Sequence, residues 1–169
     1  MEEHSINSSY RERLIEHLFV GELLKHSWRC NSFSVEVAKP EVDNSGYDLI
    51  IESKEIIRHV QLKSAFIGAK TARQTVHLSL GNKPSGCVVW VYFDKDTLEL
   101  GPFLFFGGRP GFSLPDISNY RVAKHTKGNS DGLKAERPNL RTINKGEFKK
   151  FSTFDELYNA LFVLEEPGT

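Results

Sequence analysis

The stretch GYDLIIESKEIIRHVQLKSA (residues 46–65) decides the fold, because it has the pattern of two β-strands joined by a tight turn. Polar and apolar residues alternate in both halves, which is typical of an antiparallel hairpin with one buried face. We expect strands over 47–52 and 56–64, with the turn centred between Ser53 and Lys54. This register pairs Asp48 with His59.

The predicted hairpin separates its side chains onto two faces. One face is apolar apart from a single arginine: Tyr47, Leu49, Ile51, Ile56, Arg58, Val60 and Leu62. The other carries the polar residues at one end: Asp48, His59, Gln61 and Lys63, with Ile50 and Ile57. One interpretation is a polar face turned to water, with His59 simply exposed. The other is a functional site, to which His59 could add a phosphate contact.

The polar residues are of the types that bind a hard cation. Mg²⁺ prefers oxygen ligands, which Asp48, the Gln61 amide and the Leu62 backbone carbonyl could supply. Lys63 could orient or help deprotonate a metal-bound water, or stabilise the charge of a phosphate. The residues therefore favour a metal site next to a positive charge.

This arrangement resembles the PD-(D/E)XK nucleases, in a variant with Gln-x-Lys. The similar parts are SGYD ending at Asp48, VQLK containing Gln61 and Lys63, and the preceding RERLIEHLFVGELLKHSWRC, within residues 10–65. The resemblance implies an α/β (α+β), restriction-endonuclease-like fold, a central mixed sheet flanked by an N-terminal and a C-terminal helix. It also implies hydrolysis of DNA phosphodiester bonds with Mg²⁺ or Mn²⁺, and is compatible with a homodimer.

The resemblance further implies a catalytic glutamate on the first helix. Glu16 matches best as a catalytic and metal-binding residue, although Glu12 and Glu22 stay open as alternatives. Gln61 departs from the family's usual carboxylate and leaves the site one formal charge short, which Glu16 or Asp43 could restore. The site is then either a working variant or a non-catalytic module that binds nucleic acid or protein on a nuclease-like scaffold.

Composition sets the broad class. The chain has 169 residues, of which 39% are hydrophobic, as expected of a single domain spanning 1–169. Its apolar runs are shorter than the roughly 18 residues that span a bilayer, and its start lacks a secretory pattern. Cys30 and Cys87 are far apart, which suggests reduced thiols. We expect a cytoplasmic protein that does not bind membranes.

The basic residues are unevenly distributed. Residues 121–150 hold nine basic and three acidic side chains, although the whole chain has a net charge of zero. The stretch is either a solvated loop or a surface that binds nucleic-acid phosphates. If it binds DNA, Lys124, Lys127, Lys134 and Arg137 are the predicted contacts to the backbone. The histidines lack zinc-site spacing, and the segment GGRPG, with Arg109, indicates a turn rather than a phosphate-binding loop.

The other elements follow from periodicity and capping. An amphipathic helix is predicted from Ser8 or Ser9 to about Ser27. Strands are expected over 33–40, 75–80 and 86–94, the last one central because it is nearly all apolar. A turn over 94–97 leads into a further strand. We expect irregular chain from 107 to 150, then a helix begun by the capping box of Thr153 and Glu156, all around one mixed sheet.

Overall fold

The computed structural model describes residues 7–165. Two α-helices frame the chain, α1 at Ser8–Arg29 and α2 at Phe154–Phe162. Nine strands lie between them: β1 Glu36–Ala38, β2 Leu49–Ser53, β3 Ile56–Phe66, β4 Arg73–His77, β5 Gly86–Phe93, β6 Leu100–Gly107, β7 Arg121–Lys124, β8 Glu136–Asn144 and β9 Lys149–Phe151. Two short 3-10 helices occupy Leu78–Asn82 and Lys145–Glu147.

The main sheet is mixed and has six strands in the order β1-β2-β3-β5-β6-β9. Only the β3–β5 pair is parallel, and the other neighbours are antiparallel. β5 is buried along its whole length, as expected for a strand covered on both faces. The predicted α/β character and the central position of 86–94 are confirmed.

The two faces of the main sheet have different covers. Both helices pack on one face, where Ile15, Phe19 and Leu23 of α1 join Leu157 and Leu161 of α2 in the larger core cluster. The other face carries a second cluster that includes Trp90 and Phe106, closed by residues such as Val76 and Ile143. The predicted N-terminal and C-terminal helices are both present, and they pack on the same side of the sheet.

A second sheet covers the face without helices. It has three antiparallel strands in the order β4-β8-β7. The central mixed sheet is confirmed, but the expectation of irregular chain over 107–150 around a single sheet was wrong, because β7 and β8 lie in this segment and form a second sheet with β4. β7 and β8 alternate weakly and are largely exposed, so their pairing with β4 depends on contacts between distant parts of the chain.

The central hairpin has a register two residues away from the predicted one. Ile50 pairs with His59, and Ser53 with Ile56, because the turn is formed by Lys54 and Glu55. Both turn residues have positive φ, 50° and 70°, as two-residue hairpin loops of type I′ require. The expected pairing of Asp48 with His59 was wrong. Since the shift is even, every side chain keeps its predicted face.

Arg58 is the one charged residue on the buried face of the hairpin, and its position explains how α2 is held. The side chain is fully buried. Its guanidinium donates hydrogen bonds to the carbonyl oxygens of Leu161 at 2.9 Å, Ala160 at 3.1 Å and Gly108 at 2.9 Å. Two of these acceptors lie in the last turn of α2, where a cation is favoured by the helix dipole. The capping box of Thr153 and Glu156 at the other end is confirmed.

Among the described residues, no helix is long and apolar enough to cross a membrane. Both cysteines carry free thiols, Cys30 at the surface and Cys87 in the core.

Candidate active site

The polar end of the hairpin opens into a pocket of about 590 Å³. The first half of α1, the turn before β2 and the middle of β3 form its walls. Every residue predicted for the catalytic and metal site lines it: Glu16, Asp48, Gln61, Leu62 and Lys63. Strand alternation puts Asp48, Gln61 and Lys63 on one face of the hairpin, and α1 brings Glu16 to the same opening.

Asp48 is fixed at the entry to β2. Its backbone N–H donates to the Val60 carbonyl oxygen at 2.8 Å, and its Oδ2 accepts a hydrogen bond from the Leu62 N–H at 2.7 Å. Burial raises the pKa of Asp48, while the Leu62 hydrogen bond and the Lys63 charge act in the opposite direction. The carboxylate is thus held in place but disfavoured as an anion, so a cation in the pocket would stabilise it.

Gln61 presents an unpaired oxygen. Its Oε1 is buried and has no hydrogen-bond partner within residues 7–165. A buried amide oxygen without a partner is uncommon in folded proteins and calls for an explanation such as an ion or a ligand. The backbone N–H and carbonyl of the neighbouring Leu62 point to the same edge of β3. The paired part of β2 does not extend this far, and the Leu62 N–H donates its hydrogen bond to the Asp48 carboxylate.

Lys63 adds the positive charge. Burial lowers its pKa, the nearby carboxylates of Asp48, Glu12 and Asp43 oppose that shift, and Arg137 adds to it. The ammonium therefore releases its proton more readily than an exposed lysine would. This property suits a group that handles protons at a reacting centre.

Glu16 is buried, but it is already paired. One oxygen contacts the ammonium of Lys39, which follows β1. The other lies 3.3 Å from Nη1 of Arg13, one turn earlier on α1. The two cations neutralise Glu16, so it would bind a metal only after giving up at least one of them.

Two other acids that the sequence left open also reach the pocket. Glu12 and Asp43 line it, and Glu22 does not. Asp43 comes from the turn before β2 and is the better placed of the two to restore the missing charge, since it influences the pKa of both Asp48 and Lys63.

Sequence reasoning missed several residues of the site. Ser9 from α1 and Gln74 from β4 contribute to the lining, and Lys39 holds Glu16. Ser9 was considered only as a possible start of α1, and Lys39 and Gln74 give no local signal because they lie outside both α1 and the hairpin. Gln74 reaches the pocket through the second sheet, which was itself unpredicted.

His59 and Arg109 lie outside the pocket lining. The ring of His59 packs edge-on against Tyr47, with the ring centres 4.9 Å apart. Arg109 lies over the ring of Phe112 at 4.8 Å, beside a larger groove of about 1330 Å³ between β6 and α2. None of the predicted catalytic residues lines that groove, so the smaller pocket is the better candidate site.

The predicted nucleic-acid contacts all lie on the β7–β8 hairpin. Lys124 ends β7, Lys127 and Lys134 are in the loop, and Arg137 belongs to β8. All four are exposed. The charge of Arg137 acts on the pKa of Lys63, so this residue of the β7–β8 hairpin lies within electrostatic range of the pocket.

Within residues 7–165, no group of three or more His, Cys, Asp or Glu side chains is arranged to hold a metal ion. The three donors predicted on the hairpin are different in kind: the Asp48 carboxylate, the Gln61 amide oxygen and the Leu62 backbone carbonyl. Such a set suits Mg²⁺, which keeps several waters and takes one or two carboxylates from the protein. Comparison with known proteins adds no identification, because no family model and no curated protein matches the chain.

Proposed function

We propose that this protein is a metal-dependent nuclease that hydrolyses phosphodiester bonds, with DNA as its substrate. The observation that carries the proposal is the convergence of Asp48, Gln61 and Lys63 in one pocket. There a disfavoured carboxylate, an unpaired amide oxygen and a lysine with lowered pKa lie together. Each of these features is costly to the fold, and a bound cation with a phosphate would compensate for all three.

Mg²⁺ or Mn²⁺ fits the donor set. Asp48, the Gln61 amide oxygen and the Leu62 carbonyl would hold the ion, with Glu16 or Asp43 as a further acid. Bound there, a divalent cation lowers the pKa of a coordinated water and neutralises charge on the phosphate. The buried oxygen of Gln61 is the structural feature that best matches a ligand role.

The chain's own residues would share the remaining work. Asp48 stays oriented through the Leu62 hydrogen bond. Lys63, with its lowered pKa, would take a proton from the attacking water or donate a hydrogen bond to a phosphate oxygen. The basic hairpin with Lys124 and Arg137 would bind the flanking backbone without reading sequence.

A second function is favoured by the pairing of Glu16. With that carboxylate paired to Lys39 and Arg13, the glutamate proposed as the further metal ligand is not free to bind an ion. A non-catalytic module that binds nucleic acid, or another protein, would use the basic hairpin for binding and would have no catalytic activity.

Cleavage assays separate the two functions. Supercoiled plasmid, linear duplex and single-stranded DNA are incubated with Mg²⁺ or Mn²⁺ and with wild-type protein, Lys63→Ala, or the exposed control Lys95→Ala. The nuclease proposal predicts that Lys63→Ala loses about 10²–10⁴-fold in rate, while Lys95→Ala cleaves like the wild type. Binding with a steep salt dependence and no cleavage by any protein would favour the second function.

A further inference from the structure

A row of three hydrogen-bonded side chains joins the end of α1 to the start of α2. His26 lies in the last turn of α1, Cys30 directly follows that helix, and Asp155 lies in the first turn of α2. Nδ1 of His26 is 2.8 Å from Oδ1 of Asp155, and Nε2 is 3.5 Å from Sγ of Cys30. A thiol, an imidazole and a carboxylate therefore stand in the order of a nucleophile, its base and the group that orients the base.

The carboxylate of Asp155 decides which nitrogen of His26 carries the proton. An ionised carboxylate only accepts hydrogen bonds, so Nδ1 is the donor and Nε2 is left to accept a hydrogen bond from the Cys30 thiol. Arg29 contacts the same carboxylate oxygen at 3.4 Å, and the ring of His26 stacks on Tyr158 with ring centres 3.9 Å apart. The imidazole is therefore held in an orientation that allows it to take a proton from the thiol.

Cys30 is accessible from solvent, whereas the other cysteine of the chain is not. Cys30 is exposed and Cys87 is buried in the core. Burial raises the pKa of the Cys87 thiol to about 12, so this thiol is inert at neutral pH. An exposed thiol with a base at hydrogen-bonding distance has the surroundings of a reactive cysteine.

The same three residues are not arranged around a common metal ion. The two nitrogens of the His26 ring point in different directions, one to Asp155 and the other to Cys30. One ion therefore cannot contact all three side chains. With the proton on Nδ1, the geometry suits proton transfer between sulfur and nitrogen instead.

The backbone around Cys30 limits the chemistry that the thiol can do. Acyl transfer needs N–H donors for a developing oxyanion. The N–H groups of Cys30, Asn31 and Ser32 already donate to carbonyl oxygens in the last turn of α1, and the end of a helix presents carbonyls rather than N–H groups. Thiol–disulfide exchange needs no such donors, because the negative charge passes from one sulfur to another.

We propose that Cys30, His26 and Asp155 form a site of reversible thiol–disulfide exchange, whose substrate is a small-molecule disulfide. Nε2 of His26 takes the thiol proton while Sγ of Cys30 attacks one sulfur of the substrate. A new S–S bond forms as the old one breaks, and the departing thiolate takes the proton from His26 and leaves as a thiol. The product is a mixed disulfide on Cys30, and the substrate itself is the only oxidant.

The surroundings of His26 favour the charged ring that forms during this step. The carboxylate of Asp155 lies against Nδ1, and a cation is favoured in the last turn of α1 by the helix dipole. Glu16 lines the pocket, and Cys30 follows the end of α1, roughly 20 Å further along the helix axis. The thiol site is therefore separate from the pocket and does not depend on the proposed nuclease activity.

Mass spectrometry of the full chain after incubation with glutathione disulfide at neutral pH tests the site. We expect uptake of a single glutathione, on Cys30 and not on Cys87, and its removal by dithiothreitol. His26→Gln should slow the uptake at least about 10-fold, because the thiol loses its base. The control His17→Gln makes the same substitution at an exposed position of the same helix and should react like the wild type.

Two results of this experiment would overturn the proposal. One is a wild type that takes up no glutathione. The other is a His26→Gln variant that reacts as fast as the control, since Cys30 would then be an ordinary exposed thiol. Cys87 monitors the fold in the same samples, because it stays unmodified only while the core is intact. If Cys87 reacts in His26→Gln, the variant Asp155→Ala decides.

Asp155→Ala tests the positioning role of the carboxylate without changing the core, because this side chain is 59% exposed. Without its acceptor the His26 ring divides between two tautomers, so the uptake of glutathione should slow several-fold. Nitrogen chemical shifts of the ring should show a smaller share of the Nδ1–H form, which a purely structural role of Asp155 would not produce. An unchanged rate with an unchanged tautomer would overturn the three-residue site.

Discussion

Removing both charges at the centre of the pocket should make the protein more stable. Burial raises the pKa of Asp48 and lowers that of Lys63, so the fold disfavours both charged forms. Asp48 and Lys63 attract each other electrostatically without a direct salt bridge, and replacing such buried opposite charges by neutral groups of similar size is often neutral or stabilising by about 1–4 kcal/mol. Because Asp48 and Lys63 are only partly buried, we expect a gain of about 1–2 kcal/mol in the free energy of unfolding for Asp48→Asn/Lys63→Met.

These substitutions keep the surrounding contacts. An asparagine oxygen can still accept the hydrogen bond that Leu62 donates to Asp48 at 2.7 Å, and methionine fills much of the space of the lysine chain. At this chain length, the expected gain raises Tm by about 2–8 °C. The same variant should lose all cleavage activity, since the two groups proposed for the chemistry are gone.

Urea and thermal unfolding, followed by circular dichroism at neutral pH, measure the change. The control is the exposed ion pair of Glu22 and Lys25, 2.5 Å apart on α1. Its double variant Glu22→Gln/Lys25→Gln should change stability by less than about 0.5 kcal/mol. If the pocket variant loses more than about 1 kcal/mol in the free energy of unfolding while the control is unchanged, the reasoning is refuted. Asp48 and Lys63 would then stabilise the fold.

The gain should also depend on pH. A raised pKa means that the folded chain binds a proton at Asp48 more readily than the unfolded chain. The wild type therefore loses stability as the pH rises from the ordinary aspartate range through the raised pKa. The variant lacks this titration, so its advantage should be smallest in acid and grow across that window. An advantage independent of pH would rule out Asp48 as its source.

Two further predictions concern Gln61 and Arg58. Gln61→Glu adds a carboxylate at the unpaired oxygen and should tighten Mg²⁺ binding about 10-fold, whereas Gln61→Leu should weaken it. Calorimetry measures the affinities, and equal values for the wild type and both variants would place the ion elsewhere. Arg58→Met removes three hydrogen bonds from a charged donor to Leu161, Ala160 and Gly108 and should cost about 3 kcal/mol in urea unfolding. A cost below about 1 kcal/mol would mean that these carbonyls find other donors.

Local sequence signals predicted the elements that depend on neighbouring residues. The capping box of Thr153 and Glu156, the buried strand β5 and the two faces of the hairpin were all recognisable from short patterns. The hairpin register was not, because the turn residues Lys54 and Glu55 adopt positive φ without the glycine or asparagine that usually signals it. The predicted strand over 75–80 overlaps β4, but the second sheet was missed because β7 and β8 are largely exposed and the three strands pair over long distances.

The sequence by itself determined that Asp48, Gln61 and Lys63 share one face of the hairpin. Side chains alternate along a strand, so this result survives a register shift of two residues. Only the tertiary structure decided which other residues join them. Glu16 faces the pocket but is held by Lys39 and Arg13, and Arg137 arrives from the second sheet. The contact of Lys39 with Glu16 and the electrostatic effect of Arg137 on Lys63 depend on how α1 and two sheets pack, which no local pattern encodes.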